Sequence, residues 1–151
     1  MKKKKYKSRR GIIPQKNAQS YGEYLYSLYK KDKKLSPKKV VNAARPKSSP
    51  IHDFFVWDNT EAGEKYREYQ ARALIKDLAE IIYDDDTEKN YQTNVAYYNV
   101  RDKNNKQLYV HVNDVVINDD YSNQVLNDII SRLIELTSLM NNFKRLLKKG
   151  A

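Results

Sequence analysis

The stretch Tyr91-Gln-Thr-Asn-Val-Ala-Tyr-Tyr-Asn-Val-Arg-Asp-Lys-Asn-Asn-Lys-Gln-Leu-Tyr-Val-His-Val112 decides the fold class, because its pattern has the period of strands in a chain otherwise patterned for helices. Tyr, Thr and Val crowd residues 91 to 100, and Leu108, Val110 and Val112 alternate with Tyr109 and His111. The polar run Asp102 to Lys106 between them reads as a hairpin loop. Just upstream, Glu80-Ile-Ile-Tyr83 also has extended character. A small antiparallel sheet of two or three strands is expected, and with it an α+β fold. His111 is expected on the surface of a strand. Asp84, Asp85 and Asp86 read as a solvated turn, not a cation site, since no Gly-turned loop brings further ligands.

Downstream of the sheet, residues 122 to 148 predict one long helix. Leu126, Ile129, Leu133, Leu136, Met140, Phe143 and Leu147 recur at alternating steps of three and four, an a/d seam. Val125, Ile130, Ile134, Leu139 and Leu146 widen the seam to the stripe of a helix lying on a sheet, so packing into the chain's own core is expected. A homo-oligomer formed through the seam is the alternative.

Upstream, a helix is predicted from Asn59 to about Leu78, with Asp58 as N-cap and Glu61 completing a capping box. The stretch before it, Ser48 to Asp58, holds the only Trp, one of two His and two of three Phe. His52, Asp53, Phe54, Trp57 and Asp58, with Tyr66, Arg67, Gln70 and Arg72 from the helix, therefore form a candidate central site. One reading is structural: Trp57 and Phe54 anchor the loop and an Arg satisfies a carboxylate or a loop carbonyl. A second reading makes the same residues a binding site, and a third, catalytic one would make His52 a general base oriented by Asp53 or Asp58, with Arg67 or Arg72 holding an anion. It lacks a nucleophile, a Gly-rich phosphate loop and a metal triad, so no catalytic residue, metal site or cofactor is assigned.

These residues carry a resemblance. Leu35-Ser-Pro-Lys-Lys-Val-Val-Asn-Ala-Ala44, Ser49-Pro-Ile-His-Asp-Phe54, Trp57-Asp58 and Tyr66-Arg-Glu-Tyr-Gln-Ala-Arg-Ala-Leu-Ile75 resemble a family of uncharacterised bacteriophage and prophage proteins. Its members share a Ser-Pro-Leu-His-x-x-Phe-x-Trp-Asp-Asp core and a Tyr-Arg-x-x-Gln-Ala-Arg-x-Leu-Ile helix. This chain departs at Ile51, Asn59 and Gly63. The resemblance covers residues 35 to 78, implies phage origin and implies no activity.

Towards the N-terminus, Ser36 reads as an N-cap and Pro37 as the first residue of a short helix that Pro46 closes. Before it, Tyr21, Tyr24, Leu25, Leu28 and Tyr29 predict a helix from Ser20 to Asp32. Its tyrosines, Tyr26 among them, suit either core packing or a stacking platform for bases. A helix-turn-helix match is poor, for the linker Lys33-Lys-Leu35 lacks the usual Gly. Residues 1 to 18 show no apolar periodicity and repel themselves, so a disordered basic arm is expected, leaving 19 to 151 as a single α+β domain.

Composition narrows the function. The 151 residues contain no Cys, which excludes disulfides and thiolate chemistry, and no apolar run long enough to span a bilayer. No apolar stretch follows the initial lysines, so no secretory signal is expected. The net charge of +10 divides unevenly: residues 1 to 47 hold 16 Lys and Arg against Glu23 and Asp32. Lys2, Lys3, Lys4, Lys5, Lys7, Arg9, Arg10, Lys30, Lys31, Lys33, Lys34, Lys38, Lys39 and Arg45 are the candidate phosphate contacts, because a polyanion releases counterions to such a surface. The expected function is a non-enzymatic, phage-encoded nucleic-acid-associated protein, with DNA favoured over RNA, in the host cytoplasm with the nucleoid or in the virion. The alternatives are a virion structural or assembly component and a small phage enzyme using His52. A membrane partner is not expected.

Overall fold

The computed structural model describes residues 3–57, 60–83 and 91–150. The elements run β1 (Lys5–Ser8), α1 (Gln15–Asp32), α2 (Pro37–Ala44), a 3-10 turn (His52–Phe54), α3 (Glu61–Asp77), β2 (Leu78–Tyr83), β3 (Tyr91–Val95), β4 (Tyr97–Arg101), β5 (Gln107–His111), α4 (Val112–Val116) and α5 (Asp119–Lys149). The fold is α+β. Among the described residues five strands form two antiparallel sheets, one ordered β1-β2-β3 and the other the β4-β5 hairpin. Ala96 breaks the expected single strand in two: its N–H donates to Leu78 O at 3.1 Å and its carbonyl accepts from Val112 N at 2.9 Å, which ties the sheets together. The hairpin loop forms as expected, with Asp102 Oδ1 accepting from the N–H groups of Asn104 and Lys106.

The N-terminal segment departs from the disordered arm expected over residues 1 to 18. Lys5–Ser8 pairs with β2, Tyr6 opposite Glu80. On the other edge of β1, the Gln19 amide accepts from Tyr6 N and donates to Lys4 O, both at 2.9 Å, and Gln15 Oε1 accepts from Ser8 N. Two glutamines of α1 thus cover an edge that would otherwise expose unpaired backbone. Tyr6 is 3% exposed and seats against Gly22, where an added Cβ would stand 2.2 Å from the ring. Burial of one aromatic and bonding of the edge offset the repulsion that makes the segment look unstructured.

Helix boundaries moved where capping differed. α1 begins at Gln15 behind Pro14, not at Ser20, whose hydroxyl donates to Asn17 O inside the helix. It ends at Lys33 in the left-handed conformation, φ 59°. α2 starts as expected, with Ser36 Oγ accepting from Lys39 N. The N-cap of α3 is Thr60, whose hydroxyl accepts from Gly63 N at 3.0 Å; Asp58, expected in that role, and Asp84 to Asp86 lie outside the described residues.

The core gathers Tyr21, Leu25 and Leu28 of α1, Val40 and Val41 of α2, Leu74 and Ile75 of α3, and Tyr97 and Val110 of the hairpin. Among the described residues α5 joins it only through its first turns, where Tyr121 and Val125 pack and the Gln124 amide exchanges two hydrogen bonds with the Arg101 backbone. From Leu126 on, every described residue is exposed, so the expected packing of this helix over the sheet does not occur. No helix among the described residues is long and apolar enough to cross a membrane.

Candidate nucleic-acid interface

The central motif folds into a closed clasp. His52 Nδ1 lies 2.9 Å from Ala44 O, and its ring stacks on Trp57 with centroids 4.9 Å apart. Trp57 Nε1–H returns to His52 O at 3.1 Å. Gln70 bonds the loop twice, donating to Phe54 O and accepting from Val56 N. Arg67, 4% exposed, sits 5.3 Å from the Trp57 ring and donates to Val56 O and to Glu64. Glu64 also receives Arg45 at 2.6 Å, and the two guanidinium groups, Arg67 foremost, hold its carboxyl below the usual range. Phe54 meets Tyr21 edge-on at 6.2 Å. Of the remaining members, Asp53 and Tyr66 are exposed and Arg72 turns out to Glu68, 3.6 Å away. The motif joins the α2 end to α3, and His52, Trp57, Arg67 and Gln70 are used in holding the loop closed.

The histidine buried against a carboxylate is the other one. His111 is fully buried rather than on the surface, with Nε2 2.9 Å from Glu80 Oε2, while Lys4 Nζ reaches Glu80 Oε1 at 2.6 Å. His111 Nδ1 accepts from Asn113 N, and Nε2 is the ring nitrogen that faces Glu80. Burial pushes the Glu80 carboxyl up, yet the hydrogen bonds from His111 and Lys4 outweigh it and hold the group below its ordinary value. Tyr26, Tyr29 and Tyr97 surround the imidazole at 5.0 to 5.9 Å. Tyr29 OH donates to Asp114 at 2.6 Å and Tyr24 OH to Ala43 O, so the α1 tyrosines are used for packing. No period marks this group in the sequence, since His111 and Glu80 sit on different sheets.

The basic residues of the N-terminal third do not act as one free arm. Lys3 pairs with Glu23, Lys4 with Glu80, Lys33 with Asp114, Lys39 with Asp32 and Arg45 with Glu64. Lys5 lies over the Tyr83 ring and Lys30 over Tyr26. Lys31, Lys34 and Lys38 are exposed, Lys7 is half-buried, and Lys2 lies outside the described residues. Three of the five ion pairs reach carboxylates beyond residue 47, so charge that is segregated along the chain is partly compensated in space.

Arg9 and Arg10 behave differently. The buried carboxylate of Asp77 accepts from Ser8 Oγ at 2.5 Å, Arg10 N at 2.6 Å and Ile13 N at 3.1 Å, and Arg9 N donates to Asp77 O. Asp77 thereby fixes the turn after β1 through its backbone; Arg9 and Arg10 stay exposed, with Arg9 Nη1 donating to Lys76 O at 3.1 Å. They line a cleft of about 620 Å³ together with Lys76 of α3, Arg101 of β4 and Arg132 of α5. Tyr98, Asn99, Gln107 and Gln124 supply ring and amide groups, and Asp128, paired with Arg132 at 2.9 Å, is the one carboxylate of the lining among the described residues. Among the described residues Arg9, Arg10, Lys76 and Arg101 make no ion pair. Lys76, Arg101 and Arg132 were invisible as phosphate ligands in the sequence, because they lie in three separate elements of mixed charge. No group of three or more His, Cys, Asp or Glu able to hold a metal ion occurs among the described residues.

No protein family, curated protein or solved structure matches this chain.

Proposed function

We propose that the chain is a non-enzymatic, phage-encoded nucleic-acid-associated protein whose cleft between the hairpin, α3 and the start of α5 holds a phosphate backbone, DNA in preference to RNA. One observation carries this reading: among the described residues, five cations from four parts of the chain converge on one cleft against a single carboxylate. Cations gathered on one cleft favour a multivalent anion over separate counterions. Tyr98 and the amide side chains add stacking and hydrogen-bonding groups suited to sugar and base edges. Its place would be the host cytoplasm with the nucleoid. The exposed apolar length of α5 favours a second reading, a virion structural or assembly component joined to its own copies or to other proteins, and a stoichiometric presence in purified particles would select it.

Deleting residues 1 to 18 would remove β1 and Tyr6, so the informative variants change side chains alone. For Arg9→Ala/Arg10→Ala/Arg101→Ala, fluorescence anisotropy with duplex DNA and RNA should show the slope of log affinity against log salt shallower by about 3, one phosphate contact per cation. A control triple, Lys31→Ala/Lys34→Ala/Lys38→Ala, should leave the slope nearly unchanged. Absence of binding at low salt, or equal slopes for both triples, would overturn the assignment.

A further inference from the structure

Eleven apolar side chains of α5, from Leu126 to Leu147, are 44% to 66% exposed. A water-soluble surface rarely carries so long a continuous apolar stripe. We propose that its occupant is a second copy of this chain, with the two α5 helices packed side by side and antiparallel.

The repeat comes first. Steps of three and four keep Leu126, Ile129, Leu133, Leu136, Met140 and Phe143 on one face for the whole free length, the pattern that seats one helix against another. Direction follows from charge. Residues 119 to 135 hold Asp119, Asp120, Asp128 and Glu135 against Arg132, a net of −3, whereas residues 136 to 149 hold Lys144, Arg145, Lys148 and Lys149 and no acid. Parallel pairing would set those four cations against their own copies and the aspartates against theirs. Antiparallel pairing sets each acidic start along a basic end and opposes the helix dipoles. It also places the two folded bodies at opposite ends of helices 31 residues long, about 45 Å apart at 1.5 Å per residue, instead of crowding two bodies of one sign.

The arrangement reaches the basic cleft. Asp128, Ile129 and Arg132 belong both to the cleft and to the segment that the second copy's basic end would cover. Each copy then extends the other's cleft with Lys144, Arg145, Lys148 and Lys149. This step alone rests on the nucleic-acid reading; the pairing does not.

Sedimentation equilibrium of the full chain without nucleic acid should give a dimer or an even multiple of it, and a monomer or a trimer overturns the proposal. Leu136→Glu should raise the dissociation constant by about 30-fold or more, the scale of a buried interface anchor, while near-ultraviolet circular dichroism of the body stays the same. Direction is read from a spin label. The chain has no cysteine, so Asn127→Cys carries one label per copy. Labels about 30 Å apart support antiparallel pairing, and labels about 10 Å apart overturn it. An even-numbered, antiparallel assembly that binds no nucleic acid would uphold the pairing and defeat only the cleft's assignment.

Discussion

α1 and α5 carry apolar stripes on the same three-and-four spacing, Ala18, Tyr21, Leu25 and Leu28 in one and Leu126, Ile129, Leu133 and Leu136 in the other, yet the first stripe is buried and the second exposed. The difference lies in the polar residues beside the stripe. Around α1, Gln15 and Gln19 bond the edge of β1, Tyr24 OH reaches Ala43, and Tyr29 OH reaches Asp114. Each such bond fixes where the helix must sit. Among the described residues the outward bonds of α5 stop at Gln124, and the one side-chain ion pair beyond it, Asp128 with Arg132, stays within the helix. An apolar stripe sets a demand for burial, while directional polar partners decide which surface meets it.

That contrast breaks most visibly at Gly22. A Cβ there would stand 2.2 to 2.7 Å from three Tyr6 atoms, so Gly22→Ala must push β1 off α1. Urea unfolding should show a loss of about 3 kcal/mol, the upper end of overpacking costs. Stability within 0.5 kcal/mol of the parent (about the scatter for neutral surface changes) would mean that β1 is not held by this contact. A paired comparison sharpens the point. Leu25→Ala should cost about 2–4 kcal/mol at any protein concentration, because its cavity lies in the core. Leu136→Ala should leave the isolated body within about 0.5 kcal/mol and show a loss only where the chain associates. Equal, concentration-independent losses would place α5 back on its own body.

What could be read in advance divides along the same line. The α+β class, the hairpin around Asp102 and the Ser36–Pro37 helix start rest on residues within a few positions of one another, and local pattern suffices for them. β1 was illegible because what orders it, Gln15, Gln19, Gly22 and the Ala79 to Glu80 edge, is remote from a segment that on its own shows only charge. The aromatic density around Trp57 was visible and drew attention to a site, but the same rings and arginine are what a closed clasp requires. Lys76, Arg101 and Arg132 became neighbours of Arg9 and Arg10 only through the tertiary fold.

The smallest expected effect tests how the body is tied to its N-terminus. Glu80 stands on β2 between Lys4 of the N-terminal segment and His111 of the hairpin, and its folded-state pKa lies below the ordinary 4.5. A carboxyl depressed on folding contributes stability that is complete above its unfolded value and is lost as pH falls through the folded one. Asp32 and Asp114 are shifted the same way, Asp32 chiefly by its bond from Lys39 and Asp114 by its bonds from Tyr29 and Lys33, which outweigh the upward push of its burial. The melting temperature should therefore hold near neutrality and decline below about pH 4.5. In Glu80→Gln the neutral amide cannot titrate, so the variant should melt lower at pH 7 and lose less on acidification than the parent. Parallel melting curves from pH 7 to pH 3 would show that the Lys4–Glu80–His111 link contributes nothing to the hold between β1 and the hairpin.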